Sequence, residues 1–170
     1  MNPDARVLVR FYEIPQRDLA DKISIYTNSQ SAVKPRDLRS NDKRVLALKK
    51  AYENSYPSGC FLTKRGEIRP ADRDAGRSID ITQLAKWLMA WHCQRPNISH
   101  NDNQLFDKHF ELLFRSDYRP SDISALHFWA AAIDELWNTD ALQLNEALLA
   151  YSWSRYHLLY AIQLAERQSG

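Results

Sequence analysis

The apolar positions open on a continuous run and then settle into helical spacing. Val7-Leu8-Val9-Arg10-Phe11-Tyr12-Glu13-Ile14 is rich in β-branched and aromatic residues and apolar on both faces, which predicts an interior strand ended by Pro15. Only six residues precede it, so the chain is expected to begin mid-domain. Over residues 16–28, Leu19, Ile23 and Tyr26 recur at i, i+4 and i+7 and predict a helix. The pattern then lapses: Tyr26 to Asp42 is nearly free of large apolar side chains and reads as a polar connection. Pro35 biases Lys34 away from helical geometry, keeping residues 29–35 extended or turned. Ser40-Asn41-Asp42 starts a helix to about Asn54, with Val45, Leu48 and Tyr52 inward and Lys43, Arg44, Lys49 and Lys50 outward. Pro57-Ser58-Gly59 stops it. Cys60 to Thr63 predicts a short strand, Lys64 to Glu67 a turn, and residues 69–78, without periodicity, an exposed loop.

From Asp80 onward the spacing is helical. Asp80-Ile81-Thr82-Gln83 resembles a capping box ahead of Leu84, Trp87, Leu88 and Trp91, a stripe ended by Pro96. Asn101 or Asp102 is expected to cap one helix running through Leu105, Phe106, His109, Phe110, Leu113 and Phe114. Ser121 is expected to cap the next, with Ile123, Leu126, Ala130, Ile133 and Trp137 facing in. A last helix over 141–167 carries Leu144, Leu148, Tyr151, Arg155, Leu158, Leu159 and Ile162. Four consecutive amphipathic helices joined by short turns predict a bundle. The expected class is α+β, mostly α: a basic strand/helix segment over 1–78, then a helical bundle over 79–170.

The totals narrow the setting. At 170 residues with 44% hydrophobic and 26% charged, the chain has the makeup of a globular domain able to bury a core. No apolar run approaches the ~20 residues needed to cross a bilayer, and the N-terminus lacks a signal-peptide layout. Cys60 and Cys93 make no disulfide framework, so a cytoplasmic location and no membrane partner are expected. The net charge of +2 hides an asymmetry. Residues 1–77 hold 16 Lys and Arg against 10 Asp and Glu, a net of +6; the remainder holds 7 against 11, a net of −4. A basic half of this kind attracts phosphates, although charge excess is also ordinary solvated surface.

Candidate chemistry is thin. His92, Cys93, His100 and His109 match no familiar ligand spacing, so no metal and no cofactor are expected. There is no Gly-rich phosphate loop, no G-x-S-x-G and no Cys/His pair that suggests a nucleophile. Glu67, Asp72 and Asp74 gather near Lys64 and Arg65, but a metal nuclease wants its carboxylates on a strand rather than in a polar loop. Catalytic residues therefore stay unassigned, and no activity is expected of these residues alone. Lys34, Arg36 and Arg39, with Lys64 and Arg65 across a turn, are candidates to converge with Asn28 and Gln30. Arg forks suit phosphate oxygens, and amides can read a base or ribose edge.

Thr27-Asn28-Ser29-Gln30, followed by a Val, a Pro and Asp37-Leu38-Arg39-Ser40-Asn41-Asp42, resembles the central signature of the AIPR family, named for abortive-infection phage resistance. VLVRFYEI, CFLT with KRGE, ITQLAKWLMAWHCQRP and LFDKHFELLF extend the likeness over nearly the whole chain. TNSQ with DLRSND is fairly specific, whereas the helical segments are not. The resemblance implies a longer parent protein, with this chain as its C-terminal portion. The missing upstream part would hold a Gly-Gln-Gln-Thr-like or Gly-Cys-Gln-Thr-like motif and, further toward the N-terminus, a restriction-nuclease-like region. A weaker analogy with partition-protein-like and DGQHR-type domains, some of which bind nucleotides, would set Asn28 and Gln30 against that motif.

The leading expectation is a segment of a phage-defence protein that binds nucleic acid or nucleotide phosphates through its basic first half. The alternative is an interaction or oligomerisation scaffold without a ligand of its own. It would dock its aromatic helices on the upstream region of the parent or on a second copy, since five Trp and eight Tyr exceed what a modest core needs.

Overall fold

Proline opens the first described element. In the computed structural model, which describes residues 34–115, 117–139, 151 and 154–169, Lys34 is extended and Pro35 occupies the first position of α1 (Pro35–Arg39). The ring fixes φ near its helical value and lacks the N–H that a first turn leaves unpaired, so the same residue that ends an extended stretch begins a helix. The second half of the polar stretch is thus a helical turn and not the loop expected from its composition. The strand expected over 7–14, the helix over 16–28 and the residues 140–150 that would begin the last helix lie outside the described residues.

Asp42 caps α2 (Lys43–Ser55) by accepting from the Arg44 N–H at 2.9 Å. Val45, Leu48 and Tyr52 face inward, as their i, i+3, i+7 spacing predicts. β1 (Cys60–Leu62) pairs in parallel with β2 (Ser78–Asp80), Phe61 opposite Ile79. The expected exposed loop over 69–78 therefore ends in a short 3-10 turn, Ala75–Arg77, and a strand residue. Gly59 makes this pairing possible, since a Cβ there would meet the Arg77 carbonyl oxygen at 2.2 Å. That carbonyl also accepts from the Tyr52 hydroxyl at 3.1 Å, joining the two-stranded sheet to α2.

Asp80 ends β2 and caps α3 (Ile81–Trp91), its carboxylate accepting from the N–H groups of Thr82 at 2.7 Å and Gln83 at 3.4 Å. α3 is the centre of the described unit. Ile81, Leu84, Ala85, Trp87, Leu88, Met89 and Ala90 are all buried, so the helix is enclosed rather than amphipathic about one stripe. The segment expected as one helix over 102–114 is two, α4 (Asp102–Phe106) and α5 (Phe110–Leu113), with Asn101 capping the first. The break at residues 107–109 brings Phe106, Phe110 and Phe114 into one aromatic cluster, with centroid distances of 6.1 Å and 5.0 Å to Phe114. Arg119, not Ser121, is the N-cap residue of α6 (Pro120–Asn138), because Pro120 takes the first helical position. α7 (Ser154–Ser169) closes on α3 and α6, with Tyr156 and Leu159 buried. One core runs from Val45, Tyr52 and Phe61 through Ile79 and α3 to Ile133 and Leu159. The fold is α+β and mostly α.

Candidate phosphate-binding face and cleft

The N-terminal turn of α1, the turn after β1 and the cap of α3 meet through side chains. Arg36 donates from Nη2 to Asp80 Oδ2 at 2.6 Å and to the Lys64 carbonyl at 3.4 Å. Arg65 Nη2 lies 2.9 Å from Asp37 Oδ2. Glu67 shapes the turn that carries Lys64 and Arg65. Its Oε2 accepts from the Thr63 and Lys64 N–H groups at 2.8 and 3.0 Å, and Lys49 Nζ stands 3.6 Å from Oε1. Gly66, at φ 72°, supplies the left-handed residue the turn needs. Partial burial works against the Glu67 carboxylate, yet the two N–H donors and the Lys49 ammonium hold its pKa below the ordinary value.

Three of the residues expected to converge therefore do so: Arg36, Lys64 and Arg65. Lys34, exposed, immediately precedes α1. Arg39 serves elsewhere. It donates from Nε to the Phe106 carbonyl at 3.4 Å, filling an acceptor at the C-terminal end of α4, and its guanidinium lies 4.4 Å over the Phe110 ring. Asn28 and Gln30 lie outside the described residues. Charge availability divides the group. The Arg36 side chain is 19% exposed and committed to Asp80, which makes it a structural tie. Lys34, Lys64 and the half-exposed Arg65 keep donors that solvent, or an anion, can reach.

A cleft lies on another side of α2. It encloses about 300 Å³, with Lys43, Arg44 and Arg115 as its cations, Ala47, Leu48 and Ala51 as an apolar strip, and Tyr118 as an aromatic wall. Arg44 is fixed by Asp42, 3.1 Å from its Nε, and by Glu111, and its guanidinium lies 5.0 Å over Phe110. The hydrogen bonds that Arg44 donates to Glu111 and Asp42 raise its pKa further, so its charge is permanent. Arg115 stands 5.4 Å over the Tyr118 ring and 3.3 Å from Asp117. Burial pushes the Tyr118 phenol up to about 12, so it stays neutral. The sequence gives no notice of this cleft. Lys43 and Arg44 read as outward helix positions, and Arg115 and Tyr118 lie between α5 and α6, distant in the chain.

Two of the three carboxylates that suggested a nuclease, Glu67 and Asp74, serve local structure instead. Asp74 accepts from the Gly76 N–H at 2.9 Å and caps the 3-10 turn, and Glu67 holds its own turn. Among the described residues no group of three His, Cys, Asp or Glu side chains is placed to hold a metal ion. Nor is any described helix long and apolar enough to cross a membrane.

The family model described as AIPR protein matches residues 2–167. The chain belongs to the AIPR family. The match takes in the α1 face, the cleft and the enclosed α3 alike, and membership relates this AIPR chain to phage defence by abortive infection. No curated protein and no solved structure matches it.

Proposed function

We propose that this AIPR chain binds nucleic acid or nucleotide phosphates through its basic first half, as a segment of a phage-defence protein. The observation that supports this reading is the Arg36–Asp80 tie with its bond to the Lys64 carbonyl, beside which Lys64 and Arg65 are reachable by solvent, with Lys34 exposed just before α1. Asp37 offsets part of that charge, so the face suits a spaced row of phosphates better than a single deeply held one. By residue type Asn28 and Gln30 belong to the same reading, since amides bond to base or ribose edges. Arg39 belongs to the reading through its place on α1, holding the helix against Phe110.

Titration of labelled single- and double-stranded oligonucleotides at two salt concentrations tests it. Backbone binding weakens linearly in log–log form with salt, and three phosphate contacts imply a loss of roughly tenfold or more between 50 and 200 mM. Replacing Lys34, Lys64 and Arg65 together by Ala is expected to weaken binding by a similar factor and to flatten the salt slope. Undiminished binding by that variant defeats the assignment.

One observation favours the interaction-module reading. Phe128, on the outer face of α6, is 68% exposed. Most other described aromatics are spent on packing, including Tyr52, Phe61, Trp87, Phe106, Phe110 and Phe114, so the aromatic count itself argues less for a partner than for a dense core. Light scattering on the same samples distinguishes the readings, since a dimer lost on Phe128→Ser favours the module.

A further inference from the structure

We infer that the cleft beside α2 is a binding site for a small phosphorylated molecule carrying a planar ring, of the nucleoside monophosphate type. Three features converge on that class. The volume of about 300 Å³ sits at the lower end of what small-molecule sites enclose, enough for one ring system and one phosphate but not for a folded polymer segment. The lining is divided by chemistry: Lys43 and Arg44 at one part, an apolar strip of alanines and Leu48 at another, and the Arg115–Tyr118 pair as a wall against which a planar ring can lie on the guanidinium. Small residues at Ala47 and Ala51 leave the floor open where larger ones would fill it.

The charge in the cleft is unequal in its availability. Arg44 is held by Asp42 and Glu111, and Arg115 is near Asp117, but none of those carboxylates lines the cleft. Lys43, exposed at the first position of α2, has no ion pair among the described residues, and its ammonium is the donor best placed to answer an incoming phosphate. Arg44 contributes a fixed positive group rather than a free fork: Asp42 and Glu111 take four of its five N–H donors and one Nη1 N–H is left, so little rotamer freedom is lost on binding. The site goes beyond the proposed function, because Arg115 and Tyr118 belong to the acidic second half and no residue of the α1 face lines it.

Calorimetric titration of the intact chain with AMP, adenosine and inorganic phosphate reads the site directly. AMP is expected to bind at least tenfold more tightly than either adenosine or phosphate, since only AMP engages both ring and cations. Lys43→Ala and Arg115→Ala are each expected to weaken AMP about five-fold or more. Ala51→Met keeps every charge and fills the floor, and is expected to abolish AMP binding while the melting temperature holds or rises. AMP affinity unchanged in Ala51→Met, or no AMP binding at millimolar concentration, overturns the inference. The oligonucleotide titrations separate it from the proposed function. The Lys34, Lys64 and Arg65 replacements should leave AMP binding intact, and AMP failure with retained oligonucleotide binding removes the cleft alone. A 5′-phosphorylated oligonucleotide that competes with AMP identifies a strand end as the source of the phosphate, and one that does not identifies a free nucleotide.

Discussion

Gly59 shows how one residue can decide a local arrangement that no periodicity announces. A Cβ there would sit 2.2 Å from the Arg77 carbonyl oxygen, the same atom that accepts from Tyr52, so relief requires the β1–β2 approach to open or the Tyr52 bond to break. Gly59→Ala is therefore expected to cost about 1–3 kcal/mol, the usual range for forcing extra volume into a packed site. Urea unfolding monitored by tryptophan fluorescence measures it, and an unchanged midpoint would show that the backbone moves aside freely. In the sequence, Gly59 looked like a helix stop within Pro57-Ser58-Gly59; its role in the sheet rests on a partner eighteen residues later at Arg77, beyond any local pattern. The same holds for the site. Arg36 and Arg65 were legible as cations beside a polar stretch, but their carboxylate partners Asp80 and Asp37 were not, because pairing is a tertiary fact. Residue type suggested phosphate chemistry, and only geometry distinguishes a guanidinium that ties two elements from one that faces solvent.

At the scale of elements, legibility followed the strength of local chemistry. α2 and α3 were readable because Asp42 and Asp80 are strong caps followed by clear apolar spacing. β2 was not, since Ser78-Ile79-Asp80 offers a single apolar residue and exists as a strand only through its register with β1. The break between α4 and α5 was invisible for the opposite reason: the apolar spacing runs through it, while Arg39 from a distant helix completes the Phe106 carbonyl. Asp80 allows a sharp test of element coupling. Its Oδ1 caps α3 and its Oδ2 holds Arg36 of α1. Asp80→Asn retains a capping oxygen and removes the ion pair; Asp80→Ala removes both, at an added cost of about 0.5–2 kcal/mol for the cap. In the Asp80→Ala background, Arg36→Ala should add little further loss, because the pair is already broken. Full additivity of Arg36→Ala and Asp80→Ala in denaturant titrations would mean that α1 and α3 are not coupled through this pair.

The whole molecule is expected to respond to acid in two stages, because half-buried imidazoles and hydrogen-bonded carboxylates nearer the surface hold different proton counts in the folded and unfolded chain. His92 and His127 both have pKa values lowered from 6.5, chiefly by burial, with His127 stacked on Trp87 at 5.3 Å. Between their depressed folded values and 6.5 the unfolded chain binds the extra protons, so stability falls as pH drops through that window and is unaffected above it. Asp42, Glu67 and Asp122 carry folded pKa values lowered below 3.8, 4.5 and 3.8 respectively. Asp42 is lowered first by its bond from Arg44 and Asp122 by its bond from Arg119, while the Glu67 donors outweigh its burial. Their contribution is present above the unfolded values and is lost as pH falls through the folded ones, beginning near pH 4. The melting temperature should therefore decline gently as pH drops below about 6.5, level off once the folded imidazoles also take up their protons, and then fall steeply below pH 4. His127→Phe keeps a ring against Trp87 without a proton to gain, and is expected to flatten the first decline while leaving the second intact. Glu67→Gln acts on the other stage, lowering the melting temperature at neutral pH and shallowing the fall below pH 4. If His127→Phe leaves the gentle decline unchanged, burial of that imidazole does not govern it, and His92, 5.1 Å from the Tyr118 wall of the cleft, becomes the group to replace next.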